Sequence, residues 1–155
     1  MTHALFGERI SKHAQLRLGC SATIFDKAHT HVLLIRRKDN GSWCLPGGMI
    51  EAGESVAEGC AREVLEETGL KVRILRLTGV YSDPDQVIVY PDGNHAFIVV
   101  LNFGAECLEG EPALSDETIG VDWFPVDAAI GMDLFHGHAQ HIRDALAGHP
   151  EAYIR

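Results

Sequence analysis

Three glutamates at fixed spacing are the groups in this 155-residue chain best suited to chemistry. On a helix, Glu63, Glu66 and Glu67 stand at i, i+3 and i+4, so their carboxylates share one face. Three like charges on one patch repel each other and destabilise an isolated helix. Bound hard cations relieve that repulsion. Carboxylate oxygens suit magnesium or manganese, and with Cys60 and Val64 directed to the core, soft ligands for zinc are lacking. A bare E-x-x-E-E is by itself an ordinary solvated helix face. The residues around it change that reading, because a solvated face requires neither Arg62 and Glu54 nor the glycines Gly48 and Gly69.

Residues 48–70 read GMIEAGESVAEGCAREVLEETGL, a full match to G-x5-E-x7-R-E-U-x-E-E-x-G-U, where U is a bulky aliphatic. From average residue frequencies, such a match in a random chain of this length has a chance on the order of one in ten million. The pattern is the Nudix box, and the chain resembles the Nudix hydrolases. The resemblance continues in Trp43-Cys44-Leu45-Pro46-Gly47-Gly48, in Gly79-Val80-Tyr81-Ser82 and in Asp122-Trp123-Phe124. It covers residues 17–146 of what reads as one domain over residues 1–155.

The resemblance implies an α/β fold, an α/β/α sandwich around a mixed sheet. It implies an enzyme that hydrolyses the pyrophosphate of a nucleoside diphosphate linked to another group, with Mg2+ or Mn2+. Carried over position by position, Glu63 and Glu67 are the principal metal ligands and the Gly47 carbonyl is a further one. Glu66 ligates a second ion or positions water, and Arg62 orients the neighbouring carboxylates. Glu54 holds the loop–helix geometry by pairing with Arg62 or backbone amides. The general base in such enzymes is a box glutamate or a loop glutamate, and Glu117 is the loop candidate, ahead of Asp116. Arg37 is the candidate contact for a substrate phosphate, set against a surface salt bridge. Tyr81 is the candidate stacking partner for a base; Trp43 and Phe97 fit a cleft wall or the core, Phe97 the core. A homodimer is an expectation of the family.

The implied mechanism follows from charge. A pyrophosphate is anionic and resists hydroxide. Metal ions shield it and acidify a bound water, which attacks one phosphorus in line while a carboxylate takes the proton. ADP-ribose, nucleotide sugars and (d)NTPs all remain open as substrates. Pro84, fifteen positions after Gly69, is a weak marker shared with some ADP-ribose-cleaving relatives. The alternative is a catalytically silent nucleotide-binding or regulatory module. Such modules usually show damaged boxes, whereas Glu63, Glu66 and Glu67 are all present here. A scaffold or isomerase on the same fold ranks lower.

The elements that must position these groups are legible in outline. Ser55-Val56-Ala57-Glu58 is a capping box, and Gly69 is the natural C-cap of the helix it opens. Val56, Cys60 and Val64, with Ala57, Ala61 and Leu65, form its expected buried stripe. Strands are expected over residues 18–25 and His31–Arg37, joined by a hairpin loop at 26–29. Further strands are expected over 43–45, 72–81, 96–103 and 121–124, with a strand or loop at 87–89. Residues 46–48 read as a tight turn and 109–118 as an acidic loop. A short helix is expected within residues 3–15 and an amphipathic one over His138–Ala147. His136, His138 and His141 cluster there, but without an H-E-x-x-H pattern they read as surface histidines rather than a zinc site.

Composition sets outer limits. Hydrophobic residues make up 46% and charged residues 23%, as in globular chains. A net charge of -9 disfavours nucleic acid polymers and anionic membranes as partners, and opposes any phosphate substrate, a problem that a bound divalent cation would solve. Cys20, Cys44, Cys60 and Cys107 are scattered without a C-x-x-C pair, which fits reduced thiols. With no signal-peptide core and no membrane-length apolar run, cytoplasm is the expected location.

Overall fold

The longest apolar run of the chain becomes the middle of its main sheet. The computed structural model describes residues 1–155, apart from the side chain of His136. The elements begin with β1 (His3–Phe6), a 3-10 turn (Ile10–His13), β2 (Gln15–Ile24), β3 (His31–Arg37), β4 (Trp43–Cys44) and β5 (Gly47–Met49). Then come α1 (Val56–Thr68), β6 (Lys71–Tyr81), β7 (Gln86–Val89), β8 (His95–Glu109) and β9 (Thr118–Pro125). The chain continues through α2 (Val126–Ile130), a 3-10 turn (Phe135–Gly137), α3 (His138–Ala147) and β10 (Tyr153–Ile154).

β8 pairs in parallel with β2 and antiparallel with both β6 and β7. β1 lies beyond β7, β5 beyond β2, and β10 runs parallel to β6, giving a mixed seven-stranded sheet. β4, β3 and β9 form a second, antiparallel sheet.

Alternation along the strands divides the core between two layers. Cys20, Ala22 and Ile24 of β2 pack with Cys60 and Val64 of α1, and Leu33 of β3 joins them. Val32 and Leu34, the neighbours of Leu33, face the opposite way and pack with Val126, Ala129 and Ile142 of α2 and α3. Helices therefore cover both faces of the strands, which is the expected α/β/α sandwich.

α1 forms as its ends predict. Ser55 accepts a hydrogen bond from the Glu58 amide, the Glu58 carboxylate in turn accepts one from the Ser55 amide, and Gly69 closes the helix with φ 74°. The buried stripe differs from expectation. Cys60 and Val64 are buried, but Leu65 is 44% exposed and Glu67 takes a place on the inner side at 7%. The polar site, rather than the core, claims that part of the helix.

Several other expectations are corrected. Residues 3–6 form β1 instead of starting a helix, because pairing with β7 outweighs a weak helical periodicity. The loop at 26–29 joins strands of different sheets, with an isolated bridge from Phe25, just past β2, to Val32 of β3. Residues 47 and 48 lie in β5 rather than in a turn. β8 extends to Glu109, shortening the acidic loop, and α2 and β10 are added to the expected elements. Phe97 is half-buried rather than in the core.

Candidate active site

β5 is short, but its alternation decides where two backbone groups point. The Ala22 amide donates to the Pro46 carbonyl at 2.9 Å and the Ile50 amide to the Leu18 carbonyl at 3.0 Å. In an antiparallel ladder the intervening residues Gly47 and Met49 turn their amides and carbonyls away from β2. The Gly47 amide there donates to Glu67 Oε2 at 2.8 Å, and the Met49 carbonyl accepts from Arg62 Nη2 at 3.0 Å. The Gly47 carbonyl lies on the same side as its amide.

Close approach explains both glycines. A Cβ on Gly47 would lie 2.1 Å from the Cys20 carbonyl oxygen, and one on Gly48 would lie 2.4 Å from the Glu63 carboxyl carbon. Glu63 therefore rests directly on the backbone of β5.

Arg62 joins loop, strand and helix. Its Nε and Nη2 donate to the two Glu54 oxygens at 3.0 and 2.8 Å, and its Nη1 donates to Glu63 at 3.0 Å and Glu66 at 3.2 Å. The planar fork of guanidinium makes this many directed bonds, which a lysine could not. Arg62 and the Glu51 amide hold the Glu54 carboxyl down to about 2. Gly59 keeps the space clear, since a Cβ there would meet Glu54 Oε1 at 2.6 Å.

The carboxylates differ sharply in environment. Burial raises Glu67 to about 8, against the Gly47 amide, and the charges of Glu63 and Glu117 add to the rise. Burial also raises Glu63, Arg62 opposes it, and Glu66 and Glu117 reinforce it. Glu66 is the outermost, with its side chain 59% exposed. Among the described residues no three His, Cys, Asp or Glu side chains converge on one ion position. The geometry instead places Glu67 on the Gly47 amide and Glu63 against Gly48, which leaves these two carboxylates and the Gly47 carbonyl as the candidate donors for an ion. This is a hard oxygen donor set, suited to a divalent cation that keeps several waters. Two carboxylates whose burial disfavours ionisation fit such a cation, whose charge reverses the penalty.

The loop carboxylate and the strand arginine come to the same place. Arg37, Lys38, Asp116 and Glu117 line a cavity with Glu67. The Lys38 amide donates to the Glu117 carbonyl at 3.1 Å, anchoring the loop to the end of β3. Arg37 donates to both Asp39 oxygens at 2.9 and 2.8 Å and lies over the Phe135 ring at 4.8 Å. It also lines a second, more apolar cavity with Met49, Ile88, Ile98, Phe135 and His138. Arg37 is thus shared by both.

Tyr81 is not brought to the carboxylates. Its hydroxyl donates to Asp144 Oδ2 at 2.8 Å and its ring stacks on His141 at 3.7 Å. It lines a different cavity, beside Gln140 and Arg155. Trp43 packs edge-on against Phe124 as a wall.

The histidines also differ from expectation. His138 and His141 are 8% and 3% exposed, so they are interior groups rather than surface ones. The His136 side chain lies outside the described residues. His138 Nδ1 accepts from the Leu45 amide at 3.0 Å. Ser21 Oγ lies 3.3 Å from His141 Nδ1, and Asn102 Nδ2 donates to the same Ser21 oxygen at 2.8 Å. Helical spacing of His138 with Ile142 was the one sequence signal that could have placed it inside.

A model of the NUDIX domain matches residues 15–147. The chain belongs to the Nudix family. A MutT-like protein of Streptomyces ambofaciens is 38% identical over 117 residues, 76% of this chain and 69% of that protein. An ADP-ribose pyrophosphatase of Methanocaldococcus jannaschii is 37% identical over 99 residues, 62% of this chain and 55% of the relative. The chain therefore spans little more than half the length of that relative. Among solved structures, an ADP-ribose pyrophosphatase of Streptococcus suis superposes with a TM-score of 0.69 at 25% identity, covering 90% of this chain and 98% of the other. For a Nudix chain, the glutamates on α1 and the glycines on β5 are the family's box and its lead-in, here brought into contact through Gly48–Glu63 and Gly47–Glu67.

Proposed function

We propose that this Nudix chain is a pyrophosphohydrolase acting on a nucleoside diphosphate linked to another group. The carrying observation is that Arg37 lines both the cavity of Glu67 and Glu117 and the adjoining apolar one. An anhydride at the first and a nucleoside in the second would meet at its guanidinium.

The chain's own groups then take distinct roles. Glu63, Glu67 and the Gly47 carbonyl would hold Mg2+ or Mn2+, with Glu66 outermost for a second ion or a water. Such a cation supplies charge neutralisation of the anhydride and an acidified water. Arg62 fixes the carboxylates, Arg37 binds phosphate, and Glu117 accepts the water proton. The apolar walls around Met49, Ile88 and Ile98 exclude water from the nucleoside side.

The names of the Methanocaldococcus and Streptococcus relatives make ADP-ribose the first substrate to try, followed by nucleotide sugars and (d)NTPs. The test is product identification from such a panel with Mg2+, Mn2+ or a chelator. Cation-dependent cleavage between two phosphorus atoms supports the proposal. Tight binding of a nucleotide without turnover under every metal would replace it with a silent binding module.

A further inference from the structure

His138 begins α3, far in sequence from the box, yet it grips the segment that leads into β5 and Gly47. The Leu45 amide donates to its Nδ1 at 3.0 Å. An amide can only donate, so Nδ1 carries a lone pair and the proton of the neutral ring sits on Nε2. Leu45 is fully buried at 1% exposure, and its amide without a partner would be a buried unpaired donor.

The three residues 45–47 are each held from a different side. His138 takes the Leu45 amide, the Ala22 amide bonds the Pro46 carbonyl, and Glu67 takes the Gly47 amide. Pro46 has no amide hydrogen and a fixed φ, so it transmits rather than absorbs a displacement of Leu45. His138 and Gly47 line the same cavity, where Phe135, three residues before His138, lies against Arg37.

We propose that His138 is a positioning residue for the reaction, acting through Leu45 to set where Gly47 presents its amide to Glu67 and its carbonyl to the cation. The inference rests on the proposed metal site. It adds a contribution from α3 to a site otherwise built from β5, α1 and the loop of Glu117.

The test uses side chains that keep or remove the acceptor at the Nδ1 position. Asparagine places its Oδ1 near that point, glutamine places its amide near Nε2, and phenylalanine offers no acceptor. Mn2+ binding is measured by electron paramagnetic resonance of the free ion, with kcat, KM and Tm on the same samples. His138→Phe is expected to weaken Mn2+ binding about tenfold or more and to lower kcat, with KM changed little. His138→Asn should return both to within about threefold of wild type, and His138→Gln should not. Asp144→Asn, also on α3, should lower Tm while leaving Mn2+ affinity intact, separating general destabilisation from positioning. Wild-type Mn2+ affinity in His138→Phe, or equal affinities for the Asn and Gln variants, would overturn the inference. If His138→Phe does not fold, the Asn–Gln comparison decides. A wild type that binds no Mn2+ removes the proposed site itself, a result distinct from the loss of the His138 effect alone.

Discussion

Glu63 occupies the space that a side chain on Gly48 would need. A Cβ at Gly48 would lie 2.4 Å from the Glu63 carboxyl carbon and 2.4 Å from its Oε2. The missing side chain is therefore part of the carboxylate's seat. Gly48→Ala should displace Glu63 and reduce kcat on the order of 100-fold, because small misplacements at a reacting site are costly. Gly53→Ala is the comparison, since φ there is 95° but no atom lies within 4 Å of the new Cβ. It should lower Tm modestly and leave kcat alone. Equal kcat in both variants would remove the steric argument.

Glu67 is 7% exposed with its Oε2 on the Gly47 amide. Glu67→Gln keeps the shape but loses the charge. It should cut hydrolysis by about three orders of magnitude while the far-UV circular dichroism stays that of wild type. Saturating Mg2+ should raise wild-type stability by about 2.7 kcal/mol at a hundredfold excess over the dissociation constant. The Gln variant should lose most of that gain. Calorimetry with and without a chelator measures it, and an undiminished gain in Glu67→Gln would exclude Glu67 as a ligand.

Arg37 and Glu117 face one cavity but should fail differently. Arg37→Ala removes a phosphate contact present before and during reaction, so KM should rise about tenfold or more. Glu117→Gln removes a proton acceptor, so kcat should fall about 100-fold with KM nearly unchanged. Steady-state kinetics on the best substrate of the panel separates the two. A Glu117→Gln variant with normal kcat would move the base to the box glutamates.

Asp144 gives a pH prediction away from the site. It is 3% exposed, and Arg155, Tyr81 and Gln140 all donate to it. Burial alone would raise its carboxyl, but these hydrogen bonds outweigh burial and hold it below the ordinary value of 3.8. The folded value thus lies under the unfolded one. Its stabilising contribution is complete above about pH 4 and is lost as pH falls through the folded value. Asp144→Asn should be less stable than wild type near neutrality by about 1–3 kcal/mol. The gap should narrow in acid. Denaturant titrations across that range would show parallel curves if the carboxylate were not engaged.

The sequence alone determined what depends on local spacing. Glu63, Glu66 and Glu67 share a helix face because a helix turns every 3.6 residues, and Ser55 and Gly69 fix where that helix starts and stops. The strand over His31–Arg37 was legible in the same way, whereas its place between two cores came from the structure. What needed the tertiary structure were relationships between distant segments. Whether Gly47 meets Glu67, whether Glu117 reaches the box and whether Tyr81 does depend on how β5, the 110–117 loop and α3 pack, and no local periodicity encodes that. Tyr81 and the histidines show the limit most clearly. By local pattern alone, an aromatic at a strand end and histidines at a helix start read as substrate or surface groups. Packing of α3 on β6 and β2 instead committed Tyr81 to His141 and Asp144, and turned His138 inward to the Leu45 amide, where an otherwise unpaired buried donor required an acceptor.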